Sequence, residues 1–177
     1  MLQPIKSQAI IGNDIIDWHY AKTQLHKLRP RSLEKLFNTL EINYIDSHEE
    51  PILAFWHLWS VKESAYKAWQ RQKKAKPIFN AKSFVCQSIM PNAVSVLNSD
   101  FSCKVQTIYT SDYLYSECLS KSHKTKIFNT LESYSSFKSN WLDKGLQIIK
   151  NTNHIPSLYD RHKNSLSAIS LSYDRDL

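Results

Sequence analysis

Four ionisable side chains in this chain have the types and spacing to do chemistry. Lys62, Glu63 and Lys67 lie inside the tryptophan-rich run Phe55 to Trp69, FWHLWSVKESAYKAW, and Asp14 lies among isoleucines in AIIGNDII. On a helix, Glu63 and Lys67 project from one face a turn apart. The pair therefore offers an oxygen for a metal beside a cation for a phosphate. Reaction at a phosphoryl or phosphodiester centre needs a hard cation held by oxygens, with lysines neutralising the remaining charge. Asp14 and Glu63 could supply the oxygens, and Lys62 and Lys67 the neutralisation. The sequence has no Walker-type glycine loop to do this instead. Plainer readings stand beside these: a Glu/Lys pair at this spacing is often only a solvated contact, and Asn13-Asp14 could be a turn at a strand end.

The elements that must position these residues are legible from periodicity. Phe55, Trp56, Leu58, Trp59, Val61, Ala65, Tyr66, Ala68 and Trp69 cover every face of a helix, which predicts a largely buried one. Charges inside it then have to be paired, hydrogen-bonded or bound to an ion. Ser47-His48-Glu49-Glu50 followed by Pro51 has the spacing of a capping box that would start this helix, and RQKKAK with Pro77 would end it. Residues Ala9 to Ile16 read as a strand, on which Asp14 shares a face with Gly12 and Ile16 while Asn13 and Asp17 take the other. Gly12 is one of two glycines in the chain, and inside a strand it predicts a bulge or the close approach of another group.

Between these segments, residues 21–40 read as helix broken at Pro30, with Ser32 as its N-cap. From Lys82 to Leu119, β-branched and aromatic runs between turn residues predict three or four antiparallel strands. Ile127 to Leu142 keep helical spacing up to Gly145 as a C-cap. Leu146 to Lys150 and Ile155 to Tyr159 then read as a hairpin, and Ser167 to Ser172 as a last strand. The expected fold is α+β, a mixed or antiparallel sheet packed on a buried central helix, in a single domain over residues 1–177.

Composition narrows the function class. With 42% hydrophobic and 12% aromatic residues the chain can build a core. No eighteen-residue apolar run and no secretory h-region is present, so a cytoplasmic protein is expected. Three scattered cysteines, Cys86, Cys103 and Cys118, fit neither a disulfide framework nor a zinc site and read as reduced packing residues. The net charge of +7 implies an acidic partner, which could be nucleic acid, an anionic cofactor or an acidic protein.

Taken together, Gly12-Asn13-Asp14 and Trp59-Ser60-Val61-Lys62-Glu63-Ser64-Ala65-Tyr66-Lys67 resemble the two signature motifs of the 4′-phosphopantetheinyl transferase superfamily, G-x-D and W-x-x-K-E-x-x-x-K. Ser170-Leu171-Ser172-Tyr173 is similar to its third element, S-x-S-H, although it also reads as an ordinary polar edge strand. The motif order is similar to that of the short holo-acyl-carrier-protein synthase group. The resemblance implies a phosphopantetheinyl transferase-like fold. It also implies transfer of 4′-phosphopantetheine from coenzyme A to a serine of an acyl or peptidyl carrier protein, in fatty acid or polyketide biosynthesis.

On this resemblance Asp14 and Glu63 match the Mg²⁺ ligands, and Lys62 and Lys67 match lysines that contact coenzyme A phosphates. Glu63 and Lys67 are then the catalytic pair, and Ser170 and Ser172 bind the cofactor. The implied partners are coenzyme A, an acidic carrier protein and, as in many short relatives, further copies of the chain, with no membrane and no nucleic acid. Two departures stand out. The second acid of many two-lobed relatives is replaced by Ile16, which leaves Asp17 as a weak ligand candidate, and the motif histidine is replaced by Tyr173. These departures keep open a catalytically weakened relative that binds coenzyme A or a carrier protein without efficient transfer. A basic nucleic-acid-binding protein rests on charge and aromatic content alone.

Overall fold

The computed structural model describes residues 10–119, 124–128 and 130–172. Strand β1 (Ile11–Asp17) leads into a short helix α1 (Trp18–Ala21), a 3-10 turn at Leu25–Leu28, and helices α2 (Pro30–Leu36), α3 (Thr39–Ser47) and α4 (Pro51–Lys73). Four strands follow, β2 (Val85–Met90), β3 (Ala93–Asn98), β4 (Phe101–Tyr109) and β5 (Tyr113–Leu119). Helix α5 (Leu131–Asp143) then precedes β6 (Leu146–Lys150), β7 (Pro156–Asp160) and β8 (Ser165–Ala168). The first five strands form one antiparallel sheet in the order β1-β5-β4-β3-β2, and the last three form a second, β6-β7-β8. The described residues thus form an α+β arrangement in which every strand pairing is antiparallel.

Helix α4 lies on the larger sheet. Its Phe55, Leu58, Val61, Ala65 and Ala68 are buried with Val94, Val96, Phe101, Val105 and Cys118 of the sheet, with Leu33 of α2 and Ile45 of α3, and with Phe37 just past the end of α2. Trp56, Trp59 and Trp69 are half-buried at the rim. The helix is therefore less uniformly enclosed than its composition predicts, since large aromatic rings can seal a core edge while one side stays wet. Cys86 and Cys118 are buried and Cys103 half-buried, all as free thiols.

Several boundaries differ from the sequence reading. Helix α2 starts at Pro30 with Arg29 as N-cap, ahead of Ser32, because proline is pre-shaped for the first helical position. The capping box sits one helix earlier than Ser47: Asn38 accepts from the Glu41 amide at 3.0 Å and Glu41 accepts from the Asn38 amide at 2.9 Å, starting α3. Helix α4 begins at Pro51 with no side-chain cap. The expected strand at Ser167 to Ser172 is displaced, since β8 ends at Ala168. Gly145, at φ +73°, follows the end of α5, a conformation that disfavours residues with a Cβ.

Candidate active site

Strand β1 alternates buried and half-buried residues, with Gly12, Asp14 and Ile16 turned inward. Gly12 is what lets this face meet α4. A Cβ there would stand 2.1 Å from the Ser64 carbonyl oxygen and 2.6 Å from the Ala68 amide nitrogen. Both atoms belong to helix backbone, so any side chain at position 12 would push strand and helix apart. Ser64 fixes the helix from the other direction, donating its hydroxyl to the Ser116 carbonyl of β5 at 3.0 Å. Asp14, in register with Ser116, is thereby brought over the helix face that carries Glu63 and Lys67.

Lys67 closes the arrangement. Its ammonium donates to the Asn13 carbonyl at 2.9 Å, to Asp14 Oδ1 at 3.1 Å and to the Ser172 hydroxyl at 3.2 Å. The Ser172 hydroxyl in turn donates to Asp14 Oδ1 at 2.9 Å. One oxygen of Asp14 is thus fully engaged, while Asp14 Oδ2 and Glu63 Oε2 are buried with no hydrogen-bond partner among the described residues. Burial pushes the Asp14 carboxyl up, against the opposing pull of Lys67 and of the Ser172 and Ser60 hydroxyls, although Ser60 makes no hydrogen bond to it of ordinary geometry. Burial also raises Glu63, where the pull of Lys67 opposes it and the Asp14 charge adds to it. The Asp14 charge thus reaches Glu63, and each carboxyl keeps an oxygen unsatisfied. Such a pair is costly in an empty interior and suited to a shared cation.

Residues 169–172 reach this site along the free edge of β1. Ser170 Oγ accepts the Asn13 amide at 3.1 Å and Ser172 Oγ accepts the Ile15 amide at 3.2 Å. Serine hydroxyls take the place that the carbonyls of a further strand would hold, so residues 169–172 lie along β1 without a backbone ladder to it.

Lys62 is placed elsewhere, which corrects the expectation that it contacts a cofactor phosphate. Successive helical residues are about 100° apart, so Lys62 turns toward α3 while Glu63 faces β1. Its ammonium donates to Glu41 Oε2 at 2.7 Å, to the Leu36 carbonyl at 3.2 Å and to the Ala81 carbonyl at 3.1 Å, with both members of the ion pair fully buried. All three of its protons are used. Glu41 also accepts the Cys86 amide at 2.8 Å, tying α3 to β2. Sequence reasoning missed Glu41, although Asn38-x-x-Glu41 carries the capping-box spacing that could have marked it. Asp17 lies on the other face of β1 and caps α1 by accepting the Tyr20 amide at 3.2 Å. Tyr173 lies outside the described residues.

The model of the 4′-phosphopantetheinyl transferase superfamily matches residues 10–118, which carry both Asp14 and Glu63. The chain belongs to this superfamily. Its α+β architecture, with an antiparallel sheet and helices, agrees with the fold of the family, whose shared activity is transfer of phosphopantetheine from coenzyme A. No curated protein matches the chain. Helix α5 and the second sheet follow the matched residues, so Ser172 is brought to Asp14 from a part of the chain outside the match. No helix among the described residues is long and apolar enough to cross a membrane.

Proposed function

We propose that residues 1–177 act as one holo-acyl-carrier-protein synthase-type domain. It transfers 4′-phosphopantetheine from coenzyme A to a serine of an acyl or peptidyl carrier protein and releases 3′,5′-ADP. The observation that carries this reading is the pair of buried carboxylate oxygens, Asp14 Oδ2 and Glu63 Oε2, that have no hydrogen-bond partner among the described residues. Among the described residues no third His, Cys, Asp or Glu joins them in a metal-binding group. Two protein carboxylates suit Mg²⁺, which keeps several waters and fills its octahedron with substrate phosphate oxygens. Asp14 and Glu63 would hold that ion, and when bound it supplies charge neutralisation at the coenzyme A pyrophosphate.

The chain's own groups do the rest. Lys67 opposes the effect of burial on Asp14 and, exposed on one side, would exchange its contact with the Asn13 carbonyl or the Ser172 hydroxyl for a phosphate oxygen entering beside it. Ser172 fixes the same oxygen from the other side, and Ser170 and Ser172 give the cofactor hydroxyl contacts at the β1 edge. The carrier serine oxygen attacks the phosphorus, forming the new P–O bond as the pyrophosphate P–O bond breaks. Its proton passes to Glu63 or to a water hydrogen-bonded to it, and 3′,5′-ADP leaves. The positive net charge suits both an anionic donor and an acidic carrier, as in a cytoplasmic enzyme of fatty acid or polyketide biosynthesis.

A mass-shift assay with coenzyme A, Mg²⁺ and an apo carrier protein tests this reading. A phosphopantetheine-sized gain that chelator abolishes is the expected result. Coenzyme A binding without any gain would instead describe a relative that has kept recognition and lost transfer.

A further inference from the structure

We infer that Arg71 is a positioning residue for this site, holding the 169–172 segment so that Ser172 reaches Asp14. It lies one helical turn beyond Lys67 on α4 and is buried. Its Nη2 donates to the Pro156 carbonyl at 2.7 Å, at the start of β7, and to the Ile169 carbonyl in a short contact. Pro156 and Ile169 come from different parts of the second-sheet region. Ile169 immediately precedes Ser170, so the guanidinium anchors the chain at the point where it leaves β8 and turns along β1. Both carbonyls are held by one nitrogen, whose two protons diverge at fixed angles in the guanidinium plane.

A second tie joins α4 to the same sheet region without touching that segment. Gln70 donates to the Asn153 carbonyl at 3.1 Å, and Asn153 donates its side-chain amide to the Lys74 carbonyl at 2.6 Å. Gln70 therefore fastens the β6–β7 turn, and Arg71 alone of the two fastens the approach to Ser170 and Ser172. Through Arg71, α4 fixes the edge of β1 opposite β5, while its own Glu63 and Lys67 complete the site. The consequence for turnover rests on the transferase reading; the placement itself does not.

Amide hydrogen exchange on the full chain reads the placement directly. Alternate amides of a strand point to opposite edges. Those of Asn13 and Ile15 are held by Ser170 and Ser172, whereas those of Gly12, Asp14 and Ile16 face β5. Arg71→Met should speed exchange at Asn13 and Ile15 by about tenfold or more while the β5-facing amides stay protected. Gln70→Ala should leave all five unchanged. Arg71→Lys, which keeps the charge and one carbonyl contact, should fall between, and it carries the test if the methionine variant does not fold.

In the transfer assay Arg71→Met should lower kcat/KM by roughly 10- to 100-fold, the range for residues that orient catalytic groups. Combined with Ser172→Ala, the double variant should be no slower than the worse single one. Unchanged exchange at Asn13 and Ile15, uniform loosening of all five amides, or additive losses in the double variant would each overturn the assignment. Absence of transfer in the parent protein would defeat the transferase reading and leave the exchange result standing.

Discussion

At the scale of single residues, two adjacent charges on α4 have opposite roles. Lys62 is a buried structural ion, so Lys62→Met should act through stability. Removing one member of a buried pair strands the other, here Glu41, at about 3–5 kcal/mol. Urea unfolding should show that loss, and the surviving folded fraction should keep a near-parental KM for coenzyme A. Glu63 behaves in the other sense. Its carboxyl and that of Asp14 are raised by burial, so the native state holds their protons more tightly than the unfolded chain does. The stability these groups contribute is therefore fully present below the ordinary carboxylate range and is lost as pH rises through the raised values. Metal-free Glu63→Gln should accordingly unfold at higher urea than the parent at neutral pH, while transfer falls by at least about a hundredfold. Equal midpoints would show that the buried charge carries no cost. Lys62 and Glu63 are neighbours in the motif, and the motif alone did not reveal that they face opposite flanks. That division depends on Glu41, which comes into range only when α3 packs on α4.

At the scale of elements, the site exists because β1 and α4 touch backbone to backbone. Gly12→Ala inserts a methyl where the Ser64 carbonyl already stands, and backbone cannot yield as a flexible side chain can. A loss of roughly 1–3 kcal/mol is expected from overpacking alone. Transfer should fall further than stability, because the displacement separates Asp14 from Glu63. Chemical denaturation beside the transfer assay checks this, and an alanine variant with parental turnover would contradict it. The close approach was legible in the sequence, since a glycine between isoleucines in a strand has few other uses. The helical period of residues 51–73 and the β texture of residues 85–119 were equally plain. The 169–172 segment was not, because its hydrogen bonds to β1 run through serine hydroxyls and leave no alternating pattern of a strand. Arg71 opens the basic run RQKKAK that marks the end of α4 in the sequence, but its two carbonyl partners lie 85 and 98 residues away, beyond any local signal.

At the scale of the whole molecule, a +7 chain serving an anionic donor and an acidic carrier should depend on salt. Raising ionic strength from about 0.01 to 0.15 M shortens the screening length from about 30 to 8 Å. The kcat/KM for the carrier protein should fall several-fold over that range while kcat holds, because long-range attraction acts on encounter. A salt-independent kcat/KM would place recognition in apolar contacts instead. The molecule also joins two regions, the matched residues 10–118 and the second sheet, whose last strand leads into the segment that supplies Ser172. Its central claim is that Asp14 and Glu63 share one divalent ion in that assembly. Calorimetric titration of Mg²⁺ into the chain saturated with coenzyme A measures this most directly. The account predicts one site in the parent and its loss in both Asp14→Asn and Glu63→Gln, with each variant still folded. Parental Mg²⁺ affinity in either variant would contradict it.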